Sequence, residues 1–140
     1  MKKSVWVLVS VLVLSALVLS ACGGGGGGTT RATPPPEYAD MTNPVAGQQA
    51  AIDAGRELYT TNCASCHGAE GAGDGPAGGS LDPAPANLVT TAAEADENYI
   101  HWVIAEGGAA AGLSPSMVAY KGILTEEQIW QVTTFVESLQ

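Results

Sequence analysis

Apolar side chains recur at helical spacing in three stretches of the chain. Ile52, Gly55 and Tyr59 share one face at i, i+3 and i+7; Tyr99, Ile100, Trp102, Val103 and Ile104 crowd a second stretch. Ile129, Val132, Phe135, Val136 and Leu139 mark the buried side of a third. No segment sustains a two-residue alternation, so the pattern predicts an all-α domain. Asn43 as N-cap and Pro44 just inside predict the entry to the first helix, whose helix formers run from Gln48 through Tyr59. The middle helix is expected from Asp96 to Glu106, with Gly107-Gly108 as its stop. The last opens on a capping box of Thr125 and Gln128, with Leu124 placed to staple onto Ile129. Gly55 in mid-helix costs up to about 1 kcal/mol against Ala. That cost predicts a second helix crossing closely over it. Between the helices, Gly68–Leu88 and Ala109–Ala119 are dense in glycine and proline and are expected to be loops.

The first helix runs straight into Cys63-Ala64-Ser65-Cys66-His67. A bare C-x-x-C is ambiguous between zinc and thiol redox chemistry, but the trailing histidine makes it the attachment pattern of a c-type haem. One helical turn sets both thiols along one porphyrin edge, where each adds across a vinyl group, and directs the next imidazole to the iron. Composition agrees. One Phe, three Trp and four Tyr make a thin core for about 100 residues, and a buried porphyrin would fill it. The chain without haem is therefore expected to fold poorly. Of three cysteines, Cys63 and Cys66 go to haem and Cys22 remains, so no pair is left for a disulfide.

Cys22 closes a segment of its own. Met1-Lys2-Lys3, the apolar run Val5–Leu19 and Leu19-Ser20-Ala21-Cys22 describe an export signal. The run is about 15 residues, short of the roughly 20 needed to span a bilayer. Its last four residues resemble a bacterial lipobox, which implies removal of residues 1–21 and lipidation of Cys22; an uncleaved signal anchor is the rival. Either one tethers the protein to the extracytoplasmic, periplasmic-side face of a bacterial membrane. Residues 22–43, with six glycines and Pro34-Pro35-Pro36, are expected to be a linker, flexible and then stiff, before a domain over 44–140. After cleavage Arg31, Arg56 and Lys121 face fourteen acids, a balance that argues against a nucleic-acid partner.

The sixth position on the iron separates electron transfer from small-molecule chemistry. Met117, in the loop Pro115-Ser116-Met117, is the favoured ligand because a thioether in a Gly/Pro-rich loop can close over the second haem face. His101, in mid-helix between Ile100 and Trp102, is the second candidate, and an open site the third. A proline carbonyl, with Pro85 preferred over Pro83 or Pro76, is expected to accept from His67 Nδ1 and fix the imidazole.

Ala54-Gly55-Arg56-Glu57-Leu58-Tyr59 through Cys66-His67-Gly68, with Gly73-Asp74-Gly75-Pro76, resembles the small class I cytochromes c. Leu124-Thr125-Glu126-Glu127-Gln128-Ile129-Trp130 and Phe135-Val136 resemble their C-terminal helix. The resemblance covers roughly residues 44–140 and implies three to four helices wrapped around one covalent haem. It also implies first and last helices crossing near Gly55, Tyr59 against Val132 and Phe135, and His67/Met117 ligation. Many relatives carry proline directly after the methionine, where this chain has Val118. Tyr38-Ala39-Asp40-Met41-Thr42-Asn43-Pro44-Val45, with the lipobox, is similar to the lipoprotein monohaem subunit of bacterial alternative complex III. The implied function is one-electron transfer without enzymatic turnover, in a respiratory or photosynthetic chain. Its expected partners are membrane-bound or periplasmic redox proteins: a quinol-oxidising complex, a terminal oxidase or a reaction centre. The alternative is a haem enzyme or gas sensor with an open sixth position.

Overall fold

The computed structural model describes residues 31–140; the export signal 1–21, Cys22 and the glycine run lie outside the described residues. Residues Arg31–Gln140 form one compact unit. Three long helices carry it: α2 (Gln49–Asn62), α5 (Glu97–Glu106) and α6 (Glu126–Glu137). Three short ones, α1 (Pro36–Ala39), α3 (Ala64–His67) and α4 (Leu88–Glu94), and two 3₁₀ turns, Gly78–Ser80 and Gly108–Ala111, complete it. Among the described residues there is no strand, only an isolated bridge between Lys121 and Leu124, so the fold is all-α. None of these helices is long and apolar enough to cross a membrane.

The crossing of α2 over α6 is the most extensive helix contact, and glycine permits it. A Cβ added at Gly55 would lie 2.0 Å from the Gln131 carbonyl oxygen and 2.9 Å from Phe135 Cβ. The mid-helix glycine thus trades helix propensity for backbone approach, as its spacing predicts. One turn on, the Tyr59 ring tilts against Phe135 at 5.0 Å between centroids. Tyr59, Ile129, Val132 and Phe135 are each only 1% exposed. Burying a large apolar side chain of this kind stabilises by about 1.5–3 kcal/mol, so the crossing is the centre of the core.

Local signals set the helix ends. Thr125 Oγ1 accepts from the Gln128 amide at 3.2 Å, and Gln128 Oε1 accepts from the Thr125 amide at 2.9 Å, closing the expected capping box. Asp96 precedes α5 without a side-chain cap bond, and Gly107, at φ +82°, ends it. Asn87 caps α4, its side chain accepting from the Thr90 amide at 3.2 Å; the loop pattern had hidden this helix.

Two expectations are corrected at the N-terminal side. Asn43 does not cap α2, which starts at Gln49. It is buried instead, its Oδ1 accepting from the Val45 amide and its Nδ2 donating to Thr134 Oγ1 at 3.0 Å. Nor does the linker run to Asn43. Arg31 donates to the Glu94 carbonyl at 2.7 Å, Tyr38 is buried, and Asn98 Nδ2 donates to the carbonyls of Ala39 and Met41. Tyr38 and Lys121 both donate to Glu106, Lys121 from 2.7 Å. The segment 31–45 is a strap laid on the domain, and the domain boundary lies at Arg31 rather than at 44. The 109–119 loop likewise begins in a 3₁₀ turn.

Candidate haem site

Helix α2 delivers the chain into α3, and the break between them falls at Cys63. The amides of Cys66 and His67 both bond the Cys63 carbonyl, at 3.1 and 2.9 Å. A helix of four residues leaves its last carbonyls without partners inside the helix. The glycine-rich return loop supplies them: Ala77 N donates to Ser65 O at 2.8 Å, Gly75 N to Cys66 O at 3.1 Å, and Gly73 N to His67 O at 2.8 Å. The Tyr59 hydroxyl takes the next carbonyl, Gly68, at 2.7 Å. Burial beside Cys63 pushes this phenol up to about 12, so it remains a donor throughout the neutral range. The close return demands glycine at 75, where a Cβ would sit 2.5 Å from Ser65 O. The run of glycines is thus a set of backbone donors folded against α3.

His67 Nδ1 lies 3.1 Å from a backbone carbonyl, but of Ala86 and not of Pro85 as expected. The Pro85 carbonyl lies against Gly73 instead, so the chain presents the next carbonyl to the imidazole. The bond leaves Nε2 as the free nitrogen of the ring. Burial lowers the His67 pKa, and the Ala86 bond partly opposes this; the ring is neutral, the form that binds metals. Burial, with Cys66 beside it, pushes the Cys63 thiol up to about 11.

Cys63, Cys66 and His67 line a 460 Å³ cleft together with Met117. Leu81, Pro83, Pro115 and Val118 add to its wall, and no charged side chain lines it. Met117 reaches it from a separate segment, anchored on the end of α5: Gly108 N donates to Met117 O at 2.9 Å, and Tyr120 N to Ile104 O at 3.0 Å. His101 is elsewhere. It is fully buried, its ring stacked on Trp130 at 3.8 Å with Nε2 3.0 Å from Glu126 Oε1. Of the two candidates for the sixth position, Met117 lines this cleft with His67 and His101 does not.

The sequence pattern of the cytochrome c family matches residues 52–140, from the first turn of α2 to Gln140. The chain belongs to the cytochrome c family. A curated relative, cytochrome c550 of Pseudomonas aeruginosa, is 30% identical over 96 residues, which is 69% of this chain. The match spans 61% of that relative's length. The fold is also similar to a solved chain of the Kuenenia stuttgartiensis reducing HAO-like protein complex, with a TM-score of 0.56 at 24% identity. That likeness covers 71% of this chain and 49% of the other, and it concerns the fold alone.

Membership in this family implies one covalently bound haem c. The residues present fit it. Two thiols, an imidazole with its second nitrogen free, and a thioether sulfur open on one apolar cleft. The volume falls within the range of about 300–1,000 Å³ usual for cofactor sites. What sequence reasoning missed is the group that orients the imidazole from behind. The Ala86 carbonyl carries no motif, and only its distance to His67 identifies it.

Proposed function

We propose that this protein is a membrane-tethered monohaem cytochrome c that passes single electrons between redox proteins. When bound, haem c supplies a one-electron ferric–ferrous couple. In this reading Cys63 and Cys66 would hold it through thioethers, and His67 Nε2 and the Met117 sulfur would ligate its iron. Ala86 orients the imidazole, and the wall brings no charged side chain to the haem. A histidine–methionine pair in an apolar cleft raises the reduction potential, which suits a carrier late in a respiratory or photosynthetic chain. The observation that carries this reading is Met117 and His67 lining one cleft while His101 lies buried outside it.

The same reading places the domain on the outer face of a bacterial membrane, with Cys22 lipidated after removal of 1–21. Its partners are then membrane-bound or periplasmic redox proteins, a quinol-oxidising complex, an oxidase or a reaction centre among them. Support comes from the sequence before Arg31, where the export-signal pattern ends in the lipobox-like run Leu19-Ser20-Ala21-Cys22. The test is a redox titration of the purified holoprotein with carbon monoxide binding to its reduced form. Parent protein is expected to bind carbon monoxide slowly, and Met117→Ala to bind it rapidly with a lowered midpoint potential. Rapid binding by the parent would favour an open-site enzyme or gas sensor. Release of the protein from membranes only by detergent, with label from a radioactive fatty acid lost in Cys22→Ser, is the expected sign of the anchor.

A further inference from the structure

The break in the helix at Cys63 creates a problem that the return loop does not solve. Because the amides of Cys66 and His67 turn to the Cys63 carbonyl, the carbonyl of Asn62 is left for a side chain. The hydroxyl that takes it, at 2.7 Å, belongs to Tyr120, 58 residues further along and three residues beyond Met117. Tyr120 itself lines the cleft, and its amide is fixed to Ile104 at 3.0 Å. The segment Cys63–His67 is thus bracketed by two phenols of equal reach. Tyr59 holds the Gly68 carbonyl just after it, and Tyr120 holds the Asn62 carbonyl just before it. Tyr59 lies on α2, which leads into the segment, so its bond joins neighbours. The Tyr120 bond joins the two sides of the cleft.

We propose that Tyr120 is a positioning residue of the haem site: its hydroxyl clasps the Met117 segment to the helix bearing Cys63, Cys66 and His67. This rests on Met117 being the second axial ligand. A thioether is a neutral, exchangeable ligand, and its residence on the iron depends on how firmly the protein holds its segment at the right distance. Removing the hydroxyl leaves a carbonyl without its donor and frees the methionine side of the cleft at one of its few cross-links.

The test uses Tyr120→Phe, which removes only the oxygen, with Tyr59→Phe as its counterpart, both as full-length holoprotein. In Tyr120→Phe the ferric absorption band that reports sulfur bound to iron is expected to weaken. Carbon monoxide is expected to bind the reduced protein about tenfold faster, the effect of losing one well-formed, part-buried hydrogen bond. Haem content and helical circular dichroism should match the parent, and Tyr59→Phe should leave band and rate unchanged. A Tyr120→Phe protein with the parent's band and rate would overturn the clasp, as would an equal change in Tyr59→Phe. A parent that lacks the sulfur–iron band overturns the ligation by Met117, and the clasp with it, whereas a band present and insensitive to Tyr120→Phe overturns the clasp alone. Should Tyr120→Phe not accumulate, the reduced parent decides by nuclear magnetic resonance. A slowly exchanging Tyr120 hydroxyl proton is expected, and a freely exchanging one refutes the proposal.

Discussion

The two sides of the haem cleft are built by different means. On the His67 side, a four-residue helix has its carbonyls at 65, 66, 67 and 68 bonded by Ala77, Gly75, Gly73 and Tyr59, and the imidazole is fixed by Ala86. On the Met117 side, Met117 N reaches Ser114 O at 3.2 Å, and anchorage comes from Gly108 before it and Tyr120 after it. One side is a laced unit packed beneath the main helix crossing. The other is a loop tied back to Gly108 by Leu113 N and Met117 O and to the end of α5 by the amides of Tyr120 and Lys121. The difference teaches that the histidine is held as structure and the methionine as a closable flank. Local opening, which costs least where cross-links are few, is expected to begin at Met117.

The comparison fails if the crossing beneath the His67 side is dispensable. Gly55→Leu drives a side chain into the Gln131 carbonyl, where even a Cβ is at 2.0 Å. The expected cost exceeds about 4 kcal/mol, a large share of the roughly 5–15 kcal/mol that holds a typical domain together. Little folded holoprotein should be recovered, as judged by haem content and far-ultraviolet circular dichroism. Recovery at parental yield with a parental urea midpoint would refute the central place given to the crossing.

A smaller effect should separate the two sides directly. Gly75→Ala places a Cβ 2.5 Å from Ser65 O and pries the return loop from α3; about 2–3 kcal/mol is expected. Ile123→Ala, at an exposed position six residues after Met117, should stay within about 1 kcal/mol, because little of that side chain leaves water. Urea unfolding of the two holoproteins is the measurement. Equal losses would mean that the two sides are equally well built.

Much of this asymmetry was legible in the sequence, and the limits of that reading are physical. Gly55, Tyr59, Val132 and Phe135 announce the crossing because helical spacing puts them on facing stripes, and Thr125 with Gln128 announces a cap because the motif spans four residues. The haem motif is as local, and the family resemblance supplied the fold. What the sequence hid depends on where distant backbone ends up. Ala86 rather than Pro85 meets His67 because the Pro85 carbonyl is turned against Gly73. The strap reads as linker because Tyr38 is the one aromatic among its prolines and small residues, and its partner Glu106 lies 68 residues away. Asn43 does bond a backbone amide as its type suggests, but it closes a turn at Val45 and reaches Thr134.

Acid should act on the methionine side before the histidine side. His101 sits on α5, whose end anchors Met117 and Tyr120, and burial lowers its pKa while Glu126 and Glu97 partly oppose the shift. Tyr38 and Trp130 face its ring, and Nδ1 has no partner among the described residues. Because the unfolded chain takes up a proton near pH 6.5 and the folded one only lower, the stabilisation is complete above about 6.5 and is lost as pH falls below it. The slope is at most about 1.4 kcal/mol per pH unit. Urea midpoints of the holoprotein between pH 7.5 and 5 should decline accordingly, and His101→Gln should flatten the decline. A parental slope in that variant would place the acid sensitivity elsewhere.

The smallest effect tests whether the two sides open separately at all. Thr125→Ala removes the cap of α6 directly after the segment that carries Met117 and Tyr120, where Leu124 N donates to Tyr120 O at 2.9 Å. Losing such a cap costs about 1 kcal/mol. The His67 side has no bond to Thr125, so the loss should appear as faster amide hydrogen exchange at residues 117–124, with Gly73, Gly75 and Ala77 unchanged. The magnitude is modest but the pattern is decisive. If the amides of the return loop quicken by the same factor as those around Met117, the cleft opens as one cooperative piece and the methionine flank has no independent motion.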